Sequence, residues 1–238
     1  MAMLVTYAVQ HDDTKKLSKL DLGGSPQVCV DKWFWRRAIS QKYRDGQSAM
    51  SKVDIVSLCE LISASTVPDD KMFKEHTDFA SVVTPGDLEK CSSKTSALHK
   101  CVMALLRKNG AKDFHKTGTL NGDIDIHHVF PRKHMYPTDA SLPQADSDLI
   151  VKVESVVNQT PVYGPTNKQM SDKPPKEYLE DLVGNDQLKW AYVEGELLRH
   201  HIVMDHLRQD PSTKSDSFRK FYAYRQSAIL EMLRKAYE

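Results

Sequence analysis

DIDIHHVFPRKHM (123–135) is the stretch on which the reading of this chain turns. Ile124 and Ile126 alternate with Asp125 and with the adjacent pair His127-His128, and a period of two predicts a short β-strand. Two later segments complete the pattern. SVVNQTPV (155–162), carrying Asn158, reads as a second strand, and TNKQMSDKPPKEYLEDL (166–182), carrying Asn167, reads as a short helix followed by a turn. Between the strands, residues 132–154 hold MYPTDASLPQADSD, and a connection of that length inside a compact domain is more often functional than not. The chain offers its own control: His200-His201 is a second histidine pair, with no asparagine pattern downstream.

Strand, long loop, strand and short helix, with His-His closing the first strand and asparagines on the next two elements, resembles the ββα-metal core of HNH endonucleases. Hydrolysing a phosphodiester needs a water relieved of its proton, and a divalent cation to absorb charge on the phosphate and the departing 3′ oxygen. Histidine suits the first task because its ordinary pKa lies near neutrality. Carried over by position, the resemblance implies His127 as first metal ligand, Asn167 as second metal ligand and His128 as the general base. Asn158 would brace the His128 region by hydrogen bonding. The segment SDKPPKEYL (171–179) is similar to the Ser-Asp-x-x-Pro-Ser/Lys-Glu run that follows the last ligand in several such nucleases. Many relatives carry Asp where His127 stands and His where Asn167 stands. A donor pair without a carboxylate holds hard Mg²⁺ weakly, so Mn²⁺ is expected to serve at least as well.

Three more expectations attach to this box. Asp125, on the same strand face as His127, is placed to orient that ring or simply to face solvent. Arg132, Lys133 and Lys168 are placed to meet a DNA backbone. Neighbouring strand residues point to opposite faces, so joint use of His127 and His128 predicts a bulge or sharp twist near 127–129. The bland alternative is a surface hairpin with incidental histidines and turn asparagines.

Composition bounds the rest. The 238 residues allow one large or two small domains, and 40% hydrophobic with 27% charged residues is ordinary for a globular chain. No apolar run approaches the ~18 residues that span a bilayer, and the opening residues show no leader pattern, so the expectation is no membrane and a cytoplasmic address. Cys29, Cys59, Cys91 and Cys101 lie far apart without a CxxC pair, which argues against a disulfide framework or a zinc ribbon. A net charge of +1 gives little general attraction for nucleic acid. Affinity for DNA must therefore be local, with delivery by another domain or partner.

The scaffold reads as helical. VCVDKWFWRRAISQKYRDGQ (28–47) interleaves Trp33, Phe34, Ala38 and Tyr43 with Arg36, Arg37, Lys42 and Arg44. Such a helix can stack bases and clamp phosphates, or can set core on one face and solvated charge on the other. Leu98, Cys101, Val102, Leu105 and Leu106 form a helical stripe over 94–109, with Gly110 ready to end it. His99 and His115, on or just past this helix, read as structural. Further helices are expected at Met3 to Leu20, 29–43, 51–63, 184–208 and 215–237.

WFWRRAISQKY, SKVDIVSLCELI (51–62) and ALHKCVMALLRKNGAKDF (97–114), followed by the His-His box, resemble the C-terminal half of GmrSD-type nucleases, which restrict modified phage DNA. The resemblance implies a ParB-like NTPase domain or subunit as partner. That domain's Asp-Gly-Gln-Gln-Arg run is absent, since Asp45-Gly46-Gln47-Ser48 is only an echo, and no glycine-rich phosphate loop replaces it. The reading is thus an α+β, mostly α-helical chain: a helical scaffold (1–120), an embedded ββα-metal (HNH) motif (121–183) and C-terminal helices (184–238). Its expected function is divalent-metal-dependent cleavage or nicking of DNA in antiviral defence, leaving a 5′-phosphate and a 3′-hydroxyl. Two other classes compete with it: a catalytically inactive HNH-like module that binds nucleic acid or a partner, and a nuclease acting on RNA or structured DNA in repair.

Overall fold

A computed structural model of the chain describes residues 34–40, 78–115, 120, 122–136, 147–208 and 214–238. The chain divides into two compact units, one of Met1–Val82 with Lys235–Glu238 and one of Val83–Arg234. In the first, a helical run at 34–39 buries Trp35 and Ile39 and leaves Phe34 exposed. Arg36 donates from Nε to the Tyr237 carbonyl at 2.6 Å and lies 5.6 Å over the Tyr237 ring, so this arginine is engaged in packing. A 3₁₀ turn at Phe79–Ser81 is capped by Asp78. The helices expected at Met3 to Leu20 and 51–63 lie outside the described residues.

Among its described residues the second unit is mostly helical with a two-stranded sheet, an α+β arrangement. It opens with α1 (Pro85–Lys90), where Thr84 and Asp87 form a capping box: each side chain accepts from the other's backbone N–H. Helix α2 (Ala97–Lys108) is capped by Ser96, whose hydroxyl accepts from His99 N. Its stripe of Leu98, Cys101, Val102, Leu105 and Leu106 is buried, as the spacing predicts, and Gly110 ends it at φ +92.

Strand β1 (Ile124–His128) pairs antiparallel with β2 (Gln159–Tyr163), Ile124 opposite Tyr163 and His128 opposite Gln159. The expected bulge is absent: the register runs unbroken, and Val129 N continues the ladder to Asn158 O at 2.8 Å. Strict alternation therefore sets His127 on the face of Asp125 and His128 on the other. The connection between the strands is less irregular than expected, for it contains α3 (Arg132–Met135), α4 (Ser147–Glu154) and a 3₁₀ turn at Val156–Asn158.

From β2 the chain enters α5 (Gly164–Met170) at once and then α6 (Pro175–Val183), giving strand, strand, helix. Buried Asp113 fixes that junction, because its carboxylate accepts from Tyr163 N at 2.8 Å and from Thr166 Oγ1 at 2.7 Å. At Gly164 the backbone passes close to Asp123: its N–H donates to Asp123 O at 2.9 Å, and a Cβ there would make the exposed Asp123 carboxylate turn aside.

The single helix expected over 184–208 is two, α7 (Gln187–Arg199), capped by Asp186, and α8 (Met204–Leu207). His200 causes the break by turning its ring into the core. There Nε2 donates to Lys112 O at 2.7 Å, Thr160 Oγ1 donates to Nδ1 at 2.6 Å, and His201 follows at φ +56. The last helix, α9 (Lys214–Tyr237), packs Phe218 and Phe221 on Phe130 at 5.3 and 5.0 Å between ring centroids. Burying a phenylalanine contributes roughly 1.5–3 kcal/mol, so these rings pin the segment after β1 to the scaffold.

Candidate metal centre and hydrolytic site

Three of the residues singled out in the sequence, Asp125, His127 and Asn167, form one connected group on β1 and α5, and His128 belongs to another. In the first, His127 Nδ1 donates to Asn167 Oδ1 at 2.9 Å, and Asn167 Nδ2 donates to Asp125 Oδ2 at 3.1 Å. Alternation along β1 aligns His127 with Asp125, and the immediate turn from β2 into α5 brings Asn167 over the same face. Asp125 thus contacts the Asn167 amide and not the His127 ring that it was expected to orient.

His127 is 3% exposed, and its ring stands at 88° to the ring of Tyr178, 5.4 Å between centroids. Its Nε2 is buried without a hydrogen-bond partner. Burial, above all, holds its pKa down at about 4, against the Asn167 hydrogen bond and the Asp172 carboxylate, which raise it. The ring is therefore neutral at pH 7, the form that can ligate a metal.

Asn158 is fully buried and acts as a clamp. Its Oδ1 accepts from Phe130 N, and its Nδ2 donates to Phe130 O and Val153 O, all at 2.9 Å. Tyr178 adds a strut by donating its hydroxyl to Val129 O at 3.0 Å. Together they fix the two residues after His128, the bracing that the sequence assigned to Asn158.

His128 lies on the other side of β1 within a polar group that the sequence did not reveal. Gln159 Nε2 faces its Nε2 at 3.4 Å and also donates to Glu154 O at 2.7 Å, while His99 Nε2 donates to Gln159 Oε1 at 2.8 Å. The neutral His128 ring thus keeps its lone pair on Nε2, which stands 3.9 Å from Glu154 Oε2. Burial first, then the Arg132 charge, hold its pKa down at about 4, while Glu154 opposes them. Asp172 raises the pKa of both His127 and His128, so the loop after α5 lies within electrostatic reach of both rings.

Two of the three basic residues expected to meet DNA are engaged. Arg132 pairs with Glu154, which also accepts from Tyr136 Oη. Lys133 pairs with Asp172 at 2.7 Å, and Lys168 is exposed on α5 beside Asn167. Lys94, before α2, is a cation that the sequence reading passed over; it lowers the pKa of both His99 and His128. Proximity to His128, so far along the chain from Lys94, leaves no local signal.

His127 Nδ1 and Asn167 Oδ1 share a hydrogen bond at 2.9 Å, so an ion held by both would take the place of the Nδ1 proton. Two protein donors leave the remaining positions to water and substrate oxygens. Among the described residues, no group of three or more His, Cys, Asp or Glu forms a fuller cage.

No family model matches the chain, and no solved structure matches it. It is 24% identical over 221 residues to an uncharacterised protein of Methanocaldococcus jannaschii, a match that takes in 86% of this chain and 36% of that protein. The chain thus spans about a third of that relative's length.

Proposed function

We propose that the chain is a metal-dependent endonuclease of the HNH type, hydrolysing DNA phosphodiester bonds. The observation that carries this reading is the contact of His127 Nδ1 with Asn167 Oδ1 at 2.9 Å, in a strand-strand-helix unit where Asn158 clamps the exit from β1. His127 and Asn167 would hold Mg²⁺ or Mn²⁺. When bound, the ion supplies a Lewis acid for the phosphate oxygens and for charge on the departing 3′ oxygen. His128, on the opposite strand face from His127 and with Nε2 facing Gln159 Nε2 at 3.4 Å, would exchange that contact for the attacking water and take its proton, and the Glu154 carboxylate would steady the imidazolium that results. The hydroxide oxygen bonds to phosphorus, the bond from phosphorus to the 3′ oxygen breaks, and the proton needed by the departing alkoxide comes from solvent. Arg132, Lys133 and Lys168 approach the backbone once Glu154 and Asp172 release the first two.

Nicking of a supercoiled plasmid by the full chain with Mn²⁺ or Mg²⁺ tests the reading. Wild type is expected to nick and His128→Ala to be inactive, and equal product from both sinks it. Duplex DNA, single-stranded DNA and RNA compared in one assay fix the substrate class. Restriction of phage DNA beside a ParB-like NTPase partner in the cytoplasm follows from the resemblance of 33–43, 51–62 and 97–114. Among the described residues, no helix is long and apolar enough to cross a membrane.

A further inference from the structure

An asparagine side chain presents two ends of nearly equal shape and opposite chemistry, an oxygen that can ligate a cation and an NH₂ that cannot. Which end faces the ion decides whether Asn167 is a ligand at all. A carboxylate accepts and never donates when ionised, so a carboxylate beside one end of the amide selects NH₂ for that end. Asp125 Oδ2 accepts from Asn167 Nδ2 at 3.1 Å, and the oxygen at the far end of the amide accepts from His127 Nδ1 at 2.9 Å. Both contacts follow from the fold, because Asp125 and His127 are two residues apart on β1 and share a face.

Resting on the metal-site reading above, we propose that Asp125 is a positioning residue that locks the Asn167 amide with its oxygen toward the cation. It does so without being a ligand, and it adds the negative charge that the neutral His-Asn donor pair lacks. The chain thereby makes a carboxylate act one residue removed from the ion, through the orientation of an amide.

Calorimetric titration of the full chain with Mn²⁺ measures this without reference to cleavage, with far-UV circular dichroism verifying that each variant is folded. Asp125→Ala is expected to weaken Mn²⁺ binding 10- to 100-fold, the usual effect of removing a group that orients a ligand. Asn167→Ala is expected to weaken it at least as much. The exchange Asp125→Asn with Asn167→Asp is expected to restore affinity to the wild-type level or better. In it the new amide at 125 donates to one oxygen of the new carboxylate at 167 and leaves the other for the ion. Unchanged affinity in Asp125→Ala overturns the inference and leaves the metal site standing. So does an Asn167→Ala variant that binds like wild type, since position 125 would then hold the ion directly. An exchange that fails to recover reduces Asp125 to a charge or a ligand and also overturns it. A wild-type chain that takes up no Mn²⁺ removes the metal site and this inference together.

Discussion

Asn158 and Phe130 hold each other through both ends of one amide, the oxygen accepting from Phe130 N and the nitrogen donating to Phe130 O, each at 2.9 Å. The third bond, to Val153 O, ties the same side chain to the end of α4. Asn158→Ala leaves one N–H and two carbonyls unpaired in a dry interior, and each buried orphan costs about 1–3 kcal/mol. A loss of roughly 3 kcal/mol or more is expected in urea unfolding. A loss below about 1 kcal/mol shows that water or a backbone shift repairs the gap.

His127 and His128 adjoin in sequence but face different groups, so their variants separate. His128→Ala is expected to lower the nicking rate by 10²- to 10⁴-fold, the usual contribution of a general base, with Mn²⁺ affinity retained. His127→Ala is expected to lose both. If His128→Ala abolishes Mn²⁺ binding and His127→Ala does not, the two roles are exchanged.

Much of the hairpin and of α5 was legible because their parts are local patterns: period two through Ile124 and Ile126, the asparagine before Gln159, and the asparagine in the first turns after Gly164-Pro165. The stripe from Leu98 to Leu106 was equally plain. What stayed hidden depends on contacts between distant segments. Asp113 fixes Tyr163 and Thr166 from some 50 residues away, and Gln159 joins His99 to His128. The break at His200 also has no local signal, since neither glycine nor proline marks it; the helix ends because Thr160 and Lys112 accommodate the ring inside. The bulge near 127–129 was inferred by requiring both histidines to work on one face, whereas the regular register gives each its own partners.

Glu154 is shared by Arg132, by Tyr136 and, at 3.9 Å, by His128. Glu154→Gln keeps the shape and removes the charge, with two separable effects. Arg132 is released to meet a phosphate, so KM for duplex DNA is expected to fall, and protonated His128 loses its anionic neighbour, so kcat is expected to fall. Steady-state kinetics at low salt reads both, and an unchanged KM excludes Arg132 from the substrate.

Ser171 ends α5 at φ +52, ψ −140, a conformation that favours glycine, four residues after Asn167 and one before Asp172. The site geometry tolerates this strain rather than relieving it. Ser171→Gly is expected to stabilise the chain by about 1 kcal/mol, while a β-branched Ser171→Val destabilises it. Thermal midpoints of the two variants measure the difference, and a Ser171→Gly midpoint at or below wild type shows that the strain is not expressed as stability.

His200 makes the stability of the fold depend on pH, in the same direction as His127 and His128. Burial holds its pKa down at about 3, whereas an exposed histidine titrates near 6.5. Between those values the unfolded chain binds a proton that the folded chain refuses, so stability rises with pH across this window. The contribution is complete above about pH 6.5 and is lost as pH falls toward 3, by up to about 1.4 kcal/mol per pH unit. His99, also lowered by burial, adds in the same direction. His200→Gln lowers stability at pH 7 by breaking the bonds to Thr160 and Lys112, but removes one proton from the linkage, so its unfolding free energy declines less steeply between pH 6 and 4. Urea midpoints at pH 7, 6, 5 and 4 for wild type and variant give the two slopes. Parallel slopes mean that His200 is protonated in the folded chain over that range, with a different donor arrangement around its ring.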